Sequence, residues 1–299
     1  MDAVLTLIAA PDAELESTTV DRVRDALSSL GADCGAADWL APARACDVPL
    51  RGVVPDQADA AARLALGAAR VDVVAQVMAH RRKRLLVADM ESTIIRQEML
   101  DELGAMVGLG ERIAGITRRA MNGEVDFKGA LQERVALLAG LPESALDEVY
   151  QRVDLMPGAR ALVQTMRASG AWCILVSGGF RTFTRRVAAL VGFQEDYGNE
   201  LDVADGRVTG RTLEPVLDRD SKVTALMQTA SVRHIPLHAV LAVGDGANDL
   251  PMLEIAGMGV AFHAKPSVAA VARTRVDHAD LTGLLYAQGY RQAEIVETA

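Results

Sequence analysis

Asp89 and Glu91 stand two residues apart, directly after the short apolar run Leu85–Asp89 (LLVAD). A carboxylate fixed at a strand end can serve as a nucleophile or a metal ligand. A second carboxylate two residues on can carry a proton to a leaving oxygen. An acidic surface turn would be written with the same letters. Ser177-Gly178-Gly179-Phe180 follows a second apolar run and precedes a helix-patterned stretch. Backbone N–H groups at a helix N-terminus favour an anionic phosphate, and glycine lets that phosphate approach; the Ser177 hydroxyl adds a donor. Gly244-Asp245-Gly246-Ala247-Asn248-Asp249 offers the carboxylate and carbonyl oxygens that Mg²⁺ prefers, although Asp and Asn also favour plain turns. Lys222, near the start of a helix, could neutralise phosphate and carboxylate charge, while the usual fate of a lysine is solvation.

The elements that must position these residues are legible from residue 83 onward. Leu85–Asp89, Trp172–Val176 (WCILV), His238–Val243 (HAVLAV) and Gly257–Phe262 (GMGVAF) read as short buried strands. Helical spacing separates them over Thr182–Leu190, Ser221–Thr229, Asp249–Ile255 and Ser267–Ala272, and a long helical region runs from about Glu98 to Thr165. Continuously apolar strands alternating with helices predict a parallel sheet covered on both faces. In such sheets ligands bind beyond the carboxyl ends of the strands, where Asp89, Ser177 and Asp245 fall. Leu201–Arg211 reads as a hairpin turning at Asp205-Gly206. Residues 1–80 read as β-α-β-β-α-β, with strands at Ala3–Ala9, Ala36–Leu40, Cys46–Val53 and Val71–Met78 and helices at Ser17–Leu30 and Asp56–Ala69. That order is the ferredoxin-like one, shared by small amino-acid-binding (ACT-like) domains.

A length of 299 residues matches two domains at roughly 150 residues each. With 50% hydrophobic residues and 24% charged, the chain reads as an ordinary globular protein with a full core. A net charge of −9 argues against non-specific nucleic-acid binding, which needs a basic face. The one basic run, Arg81-Arg82-Lys83-Arg84, reads as a solvated hinge into the next strand. Cys34, Cys46 and Cys173 are scattered and show no metal-ligand spacing, as expected of a reducing compartment. No apolar stretch reaches ~18 residues, and the first residues lack a basic signal-peptide start. The expectation is a cytoplasmic protein with no membrane partner. The five histidines (His80, His234, His238, His263 and His278) show no convergent spacing and read as structural.

In order and placement the four motifs resemble those of the haloacid-dehalogenase-type phosphatases, over about residues 83 to 286. The resemblance implies a doubly wound, Rossmann-like parallel sheet with an inserted helical cap at about 97–157, in a phosphatase domain over 81–299 behind the α+β unit of 1–80. It is strongest toward the branch that acts on O-phosphoserine, through Glu98–Leu103 (EMLDEL), Thr117–Gly123 (TRRAMNG), Phe127–Leu138 (FKGALQERVALL), Val176–Phe180 (VSGGF) and Val243–Asp249 (VGDGAND). By that resemblance Asp89 is the nucleophile. Mg²⁺ lies on Asp89, Asp245 and the backbone carbonyl of Glu91, with Asp249 behind them. Ser177, Gly178, Lys222 and Asn248 hold the phosphate. Glu98 meets the substrate ammonium and Arg134 its carboxylate, with Phe127 beside them, and the reaction is the last step of serine biosynthesis.

Phe127 and Arg134, seven residues apart, share a helix face with Leu131, Val135 and Leu138. An arginine on an apolar stripe suits bidentate carboxylate recognition, or it snorkels to water. Glutamate at 91 departs from the family's usual aspartate. Its extra methylene moves the carboxyl by about 1.5 Å, on a scale where ~1 Å can cost ~100-fold in rate. Two other readings remain at this point: a related phosphatase or phosphotransferase with another small substrate, and an amino-acid sensor with an impaired catalytic unit. Whether residues 1–80 bind serine, form a homodimer or simply pack is left open by the sequence.

Overall fold

The computed structural model describes residues 2–121 and 125–296. The chain begins with β1 (Ala3–Ala9), α1 (Ser17–Ser29), β2 (Asp33–Cys34), β3 (Asp38–Ala41), β4 (Ala45–Arg51), α2 (Pro55–Leu66) and β5 (Val71–Val77). These strands form an antiparallel sheet in the order β2-β4-β1-β5, with β3 also paired to β4. The strand expected at 36–40 is found as β3 at Asp38–Ala41, preceded by a two-residue strand, β2, that was not expected. One face of the sheet packs on α1 and α2 through Leu5, Leu7, Val48 and Val73. The other face buries Ile8, Ala45 and Val74 in the larger core of the molecule. Cover on both sides explains why every residue of β1 is apolar or hydrogen-bonded.

The second sheet is parallel throughout and runs β13-β12-β11-β6-β7-β8. Its first strand is β6 (Leu85–Ala88). Four helices follow: α3 (Met99–Met106), α4 (Gly110–Met121), α5 (Phe127–Ala136) and α6 (Ser144–Tyr150). They leave and rejoin the sheet through a narrow stem, where Ile95 bridges Leu155 and Arg96 N donates to Asp154 O at 2.9 Å. These four helices occupy the segment where the cap is expected. Asn122 and Gly123 lie outside the described residues, as does the side chain of Phe127. The chain continues through α7 (Ala159–Ala168), β7 (Trp172–Phe180), α8 (Arg181–Val191) and β8 (Glu195–Asn199). Next come the hairpin β9 (Leu201–Ala204) and β10 (Arg207–Thr212), then α9 (Arg219–Val232), β11 (Val240–Gly244), α10 (Leu250–Ile255), β12 (Met258–Phe262), α11 (Pro266–Ala269), β13 (Thr274–Val276) and α12 (Gly283–Ala287). The hairpin props the cap: Gly140 N donates to Val208 O at 2.8 Å and Val208 N to Leu141 O at 2.9 Å. No helix among the described residues is long and apolar enough to cross a membrane.

The basic run is not a solvated hinge. The Arg81 guanidinium is 13% exposed and makes a two-pronged pair with Asp47, at 2.6 and 3.0 Å, while also reaching the Ala287 carbonyl at 3.2 Å. Charge-matched planar groups convert what read as a linker into a joint between the two sheets. Asp72 on β5 completes the joint. It is fully buried and accepts from the backbone N–H groups of Asp277, His278 and Ala279 at 2.7, 3.0 and 2.7 Å. An amide cannot accept all three, and each buried donor left unpaired costs about 1–3 kcal/mol. Asp72→Asn is therefore expected to lower the unfolding free energy by about 2–4 kcal/mol in a urea titration. An unchanged midpoint and slope would show that this joint does not hold the molecule together.

Candidate active site

The parallel sheet reverses its winding between β6 and β11, and a crevice opens at the carboxyl ends of strands where winding reverses. Asp89 follows β6, and Asp245 follows β11. Asp89 N donates to Val243 O at 3.0 Å, which extends the ladder by one residue and sets the two carboxylates side by side. Both side chains are buried, as is Asp249, and one oxygen from each lies within 4.8 Å of the others. Gly244 and Gly246 permit this loop because a Cβ on either would collide with the folded-back side chains of Asp249 and Asn248.

Lys222 enters the cluster from the first turn of α9. Asp218 caps that helix, accepting from Asp220 N and Ser221 N at 3.0 and 3.1 Å while Ser221 Oγ accepts from Asp218 N at 2.9 Å. The reciprocal cap fixes the helix start and aims the next side chain inward. Lys222 is 2% exposed, and its ammonium donates to Asp89 Oδ1 at 2.5 Å and Asp249 Oδ1 at 2.6 Å. Asp249 also accepts from Gly246 N at 3.0 Å. Burial opposes the lysine's charge, but Asp249 and Asp89 outweigh it and hold its pKa above the ordinary value. Burial pushes Asp89 well up, reinforced by the charge of Asp249. Burial likewise pushes Asp245 up to about 6.

With all three carboxylates ionised, the one buried ammonium of Lys222 would leave a buried charge of −2. Buried charge is tolerated when it is paired or coordinates a metal. The donor set is all oxygen, which suits Mg²⁺. The residues present therefore fit a divalent cation.

Past Asp89 the chain turns sharply, with Ile94 N and Ile95 N both donating to Met90 O at 2.8 and 2.9 Å. The turn sends Glu91 toward the cap. Its Oε1 accepts from Met99 N, the first amide of α3, at 2.8 Å, and its Oε2 accepts from Ser177 Oγ at 3.4 Å. Burial, then the charge of Glu98, pushes the Glu91 carboxyl up to about 8. A carboxyl pushed up in this way keeps its proton to higher pH than an ordinary glutamate, as suits a general acid. Ser92 Oγ donates to Glu98 Oε1 at 2.8 Å, so both acids tie the catalytic loop to the cap.

The Ser177-Gly178-Gly179 segment was expected as a loop beyond a strand ending at Val176. The structure carries β7 on to Phe180, with a register shift between Val176 and Phe180. Gly179 N donates to Ser177 Oγ at 2.9 Å. A residue that sequence reasoning missed, Asn199, secures this segment. It is buried, donating to Gly178 O at 2.8 Å and accepting from Leu217 N at 2.6 Å. No local signal marks it, because it closes EDYGN, a strand without an apolar run. Lys265 was also missed; its ammonium lies 3.5 Å from Asp245 Oδ2.

Arg134 projects from α5 among acids. Burial lowers its pKa, while Glu91, Asp101 and Glu98 oppose that shift. Its Nε donates to Ala130 O at 3.2 Å and its Nη1 to Thr117 Oγ1 at 3.3 Å. It forms no ion pair among the described residues, which leaves guanidinium N–H groups for a ligand. Asn248 lies on the rim of the carboxylate loop, folded over Gly246.

Residues 86–254 match the model of the haloacid dehalogenase-like hydrolase family. The phosphoserine phosphatase of Lactococcus lactis is 45% identical over 203 residues, 68% of this chain and 94% of that protein. Phosphoserine phosphatase SerB2 of Mycobacterium tuberculosis is 43% identical over 218 residues, 73% of this chain but 53% of that longer protein. The crystal structure of a probable phosphoserine phosphatase from Vibrio cholerae superposes with a TM-score of 0.78 at 30% identity, covering 98% of this chain and 88% of that one. With its carboxylate cluster inside the matched span, the chain belongs to the haloacid dehalogenase-like hydrolase family, among the phosphoserine phosphatases.

Proposed function

We propose that this chain hydrolyses O-phospho-L-serine to L-serine and phosphate through a phosphorylated Asp89, with Mg²⁺ as cofactor. The observation that carries the reading is the buried cluster of Asp89, Asp245 and Asp249 closed by Lys222. Asp89, Asp245 and the backbone carbonyl of Glu91 would hold Mg²⁺, with Asp249 behind them. When bound, the ion neutralises charge and polarises the phosphate oxygens.

The chain's own groups account for the rest. An Asp89 oxygen attacks phosphorus in line and forms the P–O bond. The seryl oxygen leaves with the proton of Glu91. Glu91, now ionised, takes a proton from water as the water oxygen attacks phosphorus, which frees Asp89 and phosphate. Ser177, Gly178, Lys222 and Asn248 position the phosphoryl group, as phosphoryl transfer requires. The cap must close for the first step and loosen to admit water for the second. An amino-acid substrate needs partners for both its charges: Glu98 serves the ammonium and Arg134 the carboxylate, beside Phe127. Residues 1–80 form a separate ACT-like unit in this reading, supported by the antiparallel sheet and two helices. The phosphatase unit spans 81–299 with its cap over about 97–157, and the reaction takes place in the cytoplasm.

Phosphate release from L-phosphoserine, set against a panel of phosphomonoesters with and without EDTA, tests the whole reading. The expected outcome is preferred turnover of phosphoserine that EDTA abolishes and Mg²⁺ restores. Equal rates across the panel would remove the substrate assignment, and EDTA resistance would remove the metal. Arg134→Lys is expected to raise KM for phosphoserine about 10–100-fold, because an ammonium cannot replace a bidentate guanidinium. An unchanged KM would place the carboxylate elsewhere.

A further inference from the structure

A second cavity, of about 680 Å³, lies between the two sheets. Its wall includes Lys83, His238, Met258 and Thr274. These residues sit at the amino ends of the parallel strands, so the cavity opens at the end of the sheet opposite the carboxylates. Its volume falls within the range of small-molecule sites, which favour domain junctions.

The cavity holds a buried cation. Lys83 is only 7% exposed, and burial depresses its pKa. Its ammonium donates to His80 O at 3.1 Å and His238 O at 3.0 Å and forms no ion pair among the described residues. An ammonium carries three donors, and these two carbonyls use two of them. The imidazoles of these same two residues lie against each other, with ring centroids 4.9 Å apart. Spacing along the chain does not reveal this pair. A buried charge without a counter-ion is costly, and a bound anion would relieve that cost.

We propose that this cavity binds a small organic carboxylate, with the acid group on Lys83 Nζ and an apolar body along Val54, Leu250 and Leu253. Asp56, Glu254 and Arg273 also line the space; the two acids oppose any anion, and a phosphate dianion more than a carboxylate monoanion. Such a ligand would touch both units at once, at Val54 before α2 and on α10, without entering the active site.

The test uses the full-length, Mg²⁺-loaded protein with 4-methylpentanoate and benzoate as probes, each paired with its amide. Ligand-observed NMR titration should show saturable binding of the acids and at least about tenfold weaker binding of the amides, the loss of one charge-assisted contact. Lys83→Met should abolish acid binding and leave kcat for phosphate release unchanged. Ala272→Trp, which fills the cavity and keeps the lysine, should also abolish it, and it decides the matter if Lys83→Met does not fold. Absence of saturable binding, equal binding of acid and amide, retained binding in the variants, or displacement by inorganic phosphate would each overturn the site.

Discussion

Asp89→Asn is expected to lose at least about 10³-fold in phosphate release, the scale seen when a covalent nucleophile is removed. It should do so without loss of stability. Asp89 is buried against Asp249 and Asp245, and burial pushes its pKa well up, so its ionised form is held at a cost. The neutral amide removes one of three clustered charges and still offers Lys222 an oxygen. In metal-free protein the variant should therefore melt at or above the temperature of the parent, as sites tuned for activity often do when neutralised. The pH dependence has a definite sign. Asp245 is pushed up to about 6, so between about pH 4 and 6 the native state holds more protons than the unfolded one, and metal-free stability falls as pH rises through that window. Added Mg²⁺ should flatten the fall. Wild-type turnover by Asp89→Asn would refute the covalent route, and a markedly lower melting temperature would show that Asp89 serves the fold.

The parallel sheet was legible because its strands contain short, continuously apolar runs that lead directly into Asp89, Ser177 and Asp245. Burial on both faces leaves that pattern little freedom. The short strand at Glu195–Asn199 was not legible, since EDYGN carries neither alternation nor an apolar run. It is held by pairing to β7 and by the Trp172 indole donating to Glu195 at 2.9 Å. The strand Thr274–Val276 was missed for the same reason. In the candidate site, Asp89, Asp245, Asp249 and Lys222 converge where the order of strands put them. Glu91 and Arg134 could not be placed so well, because their positions depend on how the cap sits. A helix periodicity gives a face, but not what that face meets. The basic run at 81–84 failed most plainly. Nothing local to four cationic residues announces that Asp47 and the Ala287 carbonyl wait for the first of them.

Glu91→Gln is expected to slow phosphoserine turnover about 10²–10⁴-fold, the usual contribution of a positioned acid–base group. The amide cannot protonate the seryl oxygen or accept a proton from water. The two roles separate with a substrate whose leaving group needs no proton. With p-nitrophenyl phosphate, Glu91→Gln should release one burst of p-nitrophenol equal to the enzyme present and then stall, because phosphorylated Asp89 accumulates. Steady turnover at the parent rate would end the assignment. The longer side chain is accommodated in a specific way. A Cβ at Gly179 would stand 2.8 Å from Glu91 Oε2, so this glycine makes the room that the extra methylene requires. The Met99 amide, at 2.8 Å from Oε1, fixes the other end of the carboxyl to the cap. Aspartate at 91 would pull the carboxyl back by about 1.5 Å and out of reach of that amide. Glu91→Asp should thus reduce kcat about 10–100-fold and speed hydrogen exchange at the Met99 amide, although aspartate is the family's usual residue. Gly179→Ala should also reduce kcat, by crowding the carboxyl from the opposite side. If Glu91→Asp matched the parent in rate and exchange, the contact between acid and cap would be incidental to catalysis.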